Sequence, residues 1–469
     1  MKFPTATMVL CLLLAAMFAN AGEVSVSTPP PKIRVDRERH GFVDANGRAF
    51  VPFGVSYYRP GTGWAPQLWK QFDADATRRD FALLKKQGAN VVRVFISYGS
   101  FFTEPGKLNP EGLAKFDRLL DLADEAGIYV HPTGPDHWEG APPWLQELNI
   151  HNLDGNEPAM KAREDFWRLF ATRFRGRSTI WAYDIKNEPV VAWDTPYLRT
   201  QWEAWRKNHN QPVVPIPNKS KTTSPHLADY QHFRENIGEQ WIARQAAAIH
   251  AADPDALVTV GLIQWSIPAQ QLKPGQYAAF RPAQITRYLD FMELHFYPLV
   301  KDGGYQGGYQ YEGDAAETAN LAVAEAMARE CAKPGLPLVI AEFGWYGGGA
   351  PKSGFRPATE EQQAQWCRHL IETTEPMACG WLNWGMHDNP QATDISKLTG
   401  LFTADGKEKA WGRTFHELAQ RFQNQPPVFA LPDRPDLPWE QCLASGDAMT
   451  AFQKAYLESF TAAAAKKKK

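Results

Sequence analysis

The stretch IWAYDIKNEP, Ile180–Pro189, decides how the chain folds. It opens as a short apolar run of aromatic and β-branched side chains, the composition of a buried strand, and closes in an amide, a carboxylate and a proline. Proline ends a central strand because it cannot donate to the ladder. Asn187 and Glu188 are therefore left where the strand emerges from a core. The run is continuous and not alternating, which is the pattern of a strand covered on both faces, as in a parallel sheet.

Working outward, the same kind of run recurs in AFVPFGV, NVVRVFI, IYVHP, LVTVGLI, LDFMELHF, LPLVIAEFG and ACGWLNWG. Stretches of helical period separate most of them. DATRRDFALLKKQG sets Phe81, Leu84 and Leu83 on one side and closes at Gly88, and LAKFDRLLDLADEAG and MKAREDFWRLFATRF follow the same rule. Strand candidates alternating with helices over about 390 residues predict an α/β fold, a (β/α)8 TIM barrel with enlarged βα loops and a short C-terminal extension. An open doubly wound sheet is the rival, but no Gly-rich phosphate loop follows the early strands. Before the first barrel strand, GFVDANGRAFVPFG carries Asn46-Gly47 between two apolar runs, a hairpin signal.

The 469 residues are 44% hydrophobic, enough for a large core, and the formal net charge of -2 gives no electrostatic case for nucleic acid or an anionic membrane as a partner. Seventeen tryptophans are the compositional excess. Most such rings pack, but exposed ones hold the apolar faces of ligands. The N-terminus has Lys2, the apolar stretch MVLCLLLAAMFA and the small-residue site Ala19-Asn20-Ala21, a secretory signal pattern too short to span a bilayer. The expected organisation is a signal peptide over residues 1–21, a Pro-rich lead over 22–36, a catalytic barrel over 37–425, and an extension with a solvated AAAAKKKK tail over 426–469. The mature protein is then secreted or periplasmic, with no membrane attachment after cleavage. Cys331, Cys367, Cys379 and Cys442 remain, and either disulfides or free buried thiols fit them.

In a barrel of this kind the active site lies at the C-terminal strand ends. Read in order, those ends offer Arg93; then Asp136, His137 and Trp138; Asn187 and Glu188; Gln264 and Trp265; His295 and Tyr297; Glu342; and Trp384 and His387. Glu188 and Glu342 close strands on opposite sides of the ring. Two facing carboxylates suit cleavage of a glycosidic bond, one protonating the leaving oxygen while the other attacks or directs water. Either glutamate alone reads equally as a surface carboxylate or half of a salt bridge. The loop over 190–225 is too long for an ordinary connection and is expected to hold a helix, and residues 301–313 form a Gly- and Tyr-rich loop.

The motifs NVVRVF, YDIKNEP, ELHFYP, VIAEFGW and GWLNWG, in this order along the chain, resemble glycoside hydrolase clan A, and most of all its cellulase-like family 5. The resemblance covers about residues 37–425. It implies that Glu188 is the general acid/base and Glu342 the nucleophile of a retaining double displacement. It further implies that Asn187 holds the sugar 2-hydroxyl, that Arg93 contacts the nucleophile, that His295 and Tyr297 flank the site, and that Trp384 floors it. For the histidine that the family often places after the third strand, both His131 and His137 offer themselves, and His137 lies nearer the mouth. His131, Asp136 and His137 are also metal-ligand types, but nothing else clusters with them in sequence, so no metal or cofactor is assigned. His137, Trp138 and Trp265 are assigned to substrate binding, and Trp144, Trp193, Trp202, Trp205 and Trp345 fall in segments able to reach the mouth. The expected partner is a carbohydrate, a β-linked glucan, mannan or derived oligosaccharide. A transglycosylase would use the same glutamates, and a non-catalytic binding protein would keep the rings and lose a carboxylate.

Overall fold

The computed structural model describes residues 29–62, 66–136, 141–148, 153, 155–270, 272–298, 314–344, 358–392 and 395–467. Its frame is a closed barrel of eight parallel strands: β4 (Phe53–Ser56), β5 (Val91–Ser97), β6 (Tyr129–Asp136), β7 (Tyr183–Asn187), β8 (Val258–Leu262), β9 (Met292–Phe296), β10 (Leu338–Phe343) and β11 (Gly380–Asn383). Neighbours in sequence are neighbours in space, and β11 closes on β4. Each strand coincides with one of the eight apolar runs, so continuous hydrophobicity did report burial on both faces.

The helices obey local chemistry. Ala74–Lys86 starts at Asp73, whose carboxylate accepts the Ala76 N–H, and it buries Phe81 and Leu84, while Leu83 is only partly covered. Pro110–Ala126 is capped by Asn109 and stops at Gly127. Glu157–Phe174 buries Phe166, Trp167 and Phe170 against the barrel.

The Asn46-Gly47 signal forms a hairpin outside the barrel. Strands β1 (Arg34–Asp36), β2 (Gly41–Val43) and β3 (Ala49–Phe50) make a small antiparallel sheet, with Gly47 at φ +78° in the turn between Asp44 and Arg48. Ordered structure thus begins before the expected start at Arg37: Ile33 is buried, and the Tyr129 hydroxyl donates to the Pro31 carbonyl at 2.5 Å. This sheet plugs one end of the barrel. Phe42 meets Trp181 edge-on at 5.3 Å and Phe291 at 5.2 Å, and Trp181 stacks on Phe291 at 5.0 Å. Trp181 and Phe291 immediately precede β7 and β9, so the sealed end is the N-terminal one and the mouth lies opposite.

The segment after Gln425 crosses the surface extended and then forms helices Trp439–Ala444 and Gly446–Lys467. It docks on helix Asp314–Ala332: the Trp439 indole donates to Glu330 at 2.8 Å, and Arg434 and Tyr456 both reach Glu325. The alanines and first lysines of the tail continue the last helix, with a largely exposed surface. The four cysteines are free and buried. Among the described residues no helix is long and apolar enough to cross a membrane.

Trp181 is the centre of the plug, and its removal leaves a cavity that the rigid strand starts cannot collapse. Trp181→Ala is expected to lower the unfolding free energy by about 3–5 kcal/mol. Urea denaturation checks this, and a midpoint equal to that of the wild type would mean the plug contributes nothing.

Candidate active site

Arg93, fully buried on β5, organises the mouth. Its Nη1 donates to Glu342 Oε1 at 2.5 Å, and its Nη2 donates to Asp184 Oδ2 and Asn187 Oδ1, both at 2.8 Å. The other oxygen of Glu342 accepts from the Tyr297 hydroxyl at 2.9 Å. Tyr297 is itself held by its backbone N–H, which donates to the Gln264 side-chain oxygen at 3.0 Å. Each oxygen of Glu342 therefore has a fixed donor, one of them charged, and the carboxylate cannot rotate freely.

Two register shifts aim the glutamates. Opposite β8, Asp184 pairs with Thr259 and Asn187 with Gly261, so β7 carries one extra residue between them. Opposite β9, Ile340 pairs with Leu294 and Glu342 with His295, again with one extra residue, on β10. Bulges of this kind re-aim side chains beside active sites. Here the β7 bulge lets Asp184 and Asn187, three apart in sequence, bind the same guanidinium.

Asp184 is a functional residue that sequence reading passed over. Besides Arg93, its carboxylate accepts from Thr133 Oγ1 at 2.9 Å and from the Gly261 N–H at 2.9 Å, tying β5, β6, β7 and β8 together under the mouth. Gly261 is required at its position, because a Cβ there would lie 2.7 Å from His295 Nε2 and 3.0 Å from Asp184 Oδ2. The available signal was a carboxylate inside an otherwise apolar strand run, which has to be paired.

Glu188 follows β7 in the left-handed region at φ +46°, a conformation uncommon for a residue with a Cβ, and its N–H is fixed by the Gly261 carbonyl at 2.9 Å. Its side chain is 19% exposed and reaches His295 Nδ1 at 3.1 Å, and the same nitrogen lies 3.5 Å from Glu342. The reactive atoms of Glu188, His295 and Glu342 all fall within 4.8 Å of one another. Burial, reinforced by the negative charges of Asp136 and Asp184, pushes the Glu188 carboxyl up to about 7, against the pull of Arg93. Burial also pushes Glu342 upward, opposed by His295 and Arg93, and holds His295 below its usual value.

The remaining sequence candidates divide. Trp384 is 6% exposed, its indole donating to Ser396 Oγ at 2.9 Å and its ring meeting Tyr58 and Phe95 at the mouth. Trp265 is half-buried beside Gln264. His131 does not reach the mouth: it is buried, bonding the Ala182 carbonyl through Nδ1 at 2.9 Å and Glu293 through Nε2 at 2.7 Å. Asp136 pairs with Lys186, and Asp388 with Lys409 at 2.9 Å and the Gly400 N–H, so Asp388 anchors its loop. The long loop after β7 does hold a helix, Pro196–Asn208. Trp202 on it is fully buried, with Trp205 stacked on it at 5.2 Å, and Trp193 and Trp144 donate to the carbonyls of Pro217 and Thr103. Trp202 is therefore structural, contrary to the expectation that it could reach the mouth. His137, Trp138, Trp345 and residues 301–313 lie outside the described residues.

His131, Asp184 and Glu293 also bring three donor atoms within 4.8 Å, as a metal site would. In this cluster and in the Glu188 cluster, however, Arg93 already sits on a carboxylate, so a fixed cation occupies the charge that an ion would take.

Removing that cation tests the arrangement. In Arg93→Met, Glu342 rises further above its unfolded value, so the variant should lose stability relative to wild type as pH climbs from about 4 to 7. The deficit at neutral pH is expected to reach about 3–5 kcal/mol. Thermal melts of both proteins across that range check it, and a deficit independent of pH would contradict the electrostatic role.

The family profile for Cellulase (glycosyl hydrolase family 5) matches residues 43–390. Among solved structures, the exo-beta-1,4-mannosidase Op5Man5 from Opitutaceae bacterium strain TAV5 is similar in fold, with a TM-score of 0.61 at 19% identity, covering 83% of this chain and 62% of that one. GH5_18 from Streptomyces cattleya, solved in complex with Manb1-4GlcNAc, gives a TM-score of 0.61 at 21% identity over 88% of this chain and 92% of that one. Bos taurus beta-galactosidase is 22% identical over 213 residues, 42% of this chain and 30% of the relative. Aspergillus oryzae beta-galactosidase A is 29% identical over 107 residues, 22% of this chain and 10% of the relative. The chain thus spans less than a third of the length of these curated relatives. With the profile extending over most of the barrel and both glutamates inside it, the chain belongs to glycosyl hydrolase family 5.

Proposed function

We propose that this protein is an exported, retaining β-glycoside hydrolase acting on short β-linked oligosaccharides, with β-mannosides first among the candidates and β-glucosides next. The observation that carries the reading is the approach of Glu188 and Glu342, with carboxylate oxygens within 4.8 Å. Retaining enzymes hold their carboxyl groups closer together, about 5–5.5 Å, than inverting ones, which leave about 6.5–9.5 Å for a water, and the near approach of one oxygen from each glutamate favours the closer arrangement.

In the first step Glu188, kept protonated by burial, donates to the departing glycosidic oxygen while Glu342, oriented by Arg93 and Tyr297, attacks the anomeric carbon. Asn187, fixed by Arg93, would bond the 2-hydroxyl as positive charge develops on the ring. Esterification removes the charge of Glu342 close to Glu188, which lowers the Glu188 carboxyl and turns it into the base for the incoming water. Trp384 at the mouth would provide the apolar floor under the sugar.

The mannoside preference draws support from the Manb1-4GlcNAc bound by the Streptomyces cattleya enzyme and the exo-mannosidase title of Op5Man5. A preference for short substrates is supported by the loop of residues 190–225, packed as a solid wall beside the site through Trp193, Trp202 and Tyr230. Export rests on the apolar stretch and small-residue site of residues 1–21.

Assays on aryl β-mannosides, aryl β-glucosides and their oligosaccharides test the reading. Wild type is expected to release sugar and Glu342→Gln to lose at least about 10³-fold. The kcat/KM profile should fall as pH rises through about 7, where Glu188 gives up its proton. A wild-type rate unaffected by Glu342→Gln would exclude the mechanism.

A further inference from the structure

The chain leaving Glu188 is held by one face of a helix packed behind it. Helix Leu227–Ala252 places Tyr230 and Arg234 four residues apart, hence side by side. Arg234 donates through Nη2 to the Val191 carbonyl at 2.5 Å and through Nε to the Ala192 carbonyl at 3.3 Å. The Tyr230 hydroxyl donates to the next carbonyl, that of Trp193. Three successive carbonyls, beginning three residues after Glu188, are thus fixed by two side chains. The guanidinium also lies 4.9 Å from the Trp193 ring centroid, and Gln231 accepts its Nη1 at 2.7 Å.

Arg234 is fully buried, and its hydrogen bonds go to neutral groups, with the charge of Glu235 acting on it only at longer range. A buried guanidinium satisfied only by neutral groups is a costly way to fill space. Glu188 supplies the reason for it. Its left-handed backbone persists only if the flanking chain over-determines it. On one side Gly261 holds its N–H; on the other, the Val191 N–H bonds the Ala278 carbonyl at 3.1 Å, the Ala192 N–H bonds the Leu153 carbonyl at 3.2 Å, and Arg234 and Tyr230 take the carbonyls.

We propose that Arg234, assisted by Tyr230, is a positioning residue for the proton donor Glu188, setting the backbone angle from which the acid reaches the leaving oxygen. The inference rests on the glycosidase reading above. Its signature is selective: a misplaced acid slows the loss of basic leaving groups and spares those that depart without a proton.

The test is kcat/KM for a series of aryl β-glycosides of graded leaving-group pKa, with wild type, Arg234→Lys and Tyr230→Phe. For the least acidic phenol, Arg234→Lys is expected to lose about ten-fold or more, a part of the 10²–10⁴ that general acid catalysis contributes. For 2,4-dinitrophenol it should stay within about two-fold of wild type, so the plot against leaving-group pKa steepens. Tyr230→Phe, which leaves no buried charge stranded, should steepen it less and carries the test if the lysine variant does not fold. An equal loss across the series, or none, would overturn the positioning role while leaving the hydrolase reading intact. A wild type inactive on the whole series would remove the hydrolase reading and this inference together.

Discussion

One buried guanidinium governs the site. Arg93 makes charge-assisted bonds to Glu342 and Asp184 and a third bond to Asn187, so three groups from two other strands take their positions from a single side chain. The arrangement has a firm electrostatic logic. Two carboxylates deep in a barrel carry a desolvation penalty of several kcal/mol each unless a cation meets them, and Arg93 meets both with its flat, forked geometry. A lysine, whose donors radiate from a single nitrogen, lacks that fork. The negative surplus that remains lies near Glu188 and helps to keep its proton in place.

The rest of the fold positions that guanidinium. The hairpin sheet seals the N-terminal end with Phe42, Phe50, Trp181 and Phe291, so that among the described residues the site faces the opposite end of the barrel axis. Bulges on β7 and β10 turn Asn187 and Glu342 toward the axis at the heights where Arg93 can reach them. Helix Leu227–Ala252 and the loop before it then hold the chain that leaves Glu188. In the mechanism proposed for this molecule two acids are held close together at the mouth, and each layer contributes one constraint to that end.

Much of this was legible in the sequence, for identifiable reasons. Eight continuous apolar runs announced a sheet buried on both faces, and the proline after Glu188 marked where its strand stops. The roles of Arg93, Asn187, His295 and Tyr297 came from matching motifs, and the geometry brings all four together with both glutamates. What stayed hidden depends on contacts between distant segments. Asp184 sat in plain view within YDIKNEP, but its importance comes from Thr133 and Gly261, neither of which is near it in the chain. The bulges cannot be read from a two-residue period, since they are defined only against the neighbouring strand. Trp202 illustrates the converse: a tryptophan in a long loop looked available for ligand and is instead the core of that loop.

The division of labour between the two glutamates is tested most directly by trapping the covalent intermediate. Incubation with a 2-deoxy-2-fluoro β-glycosyl fluoride slows breakdown of the glycosyl-enzyme, and peptide mass spectrometry then locates the sugar. A single label on Glu342 is the predicted result. Sugar on Glu188, or an active enzyme that turns the reagent over with inversion and accumulates no label, would contradict the assignment of Glu342 as nucleophile and Glu188 as acid/base.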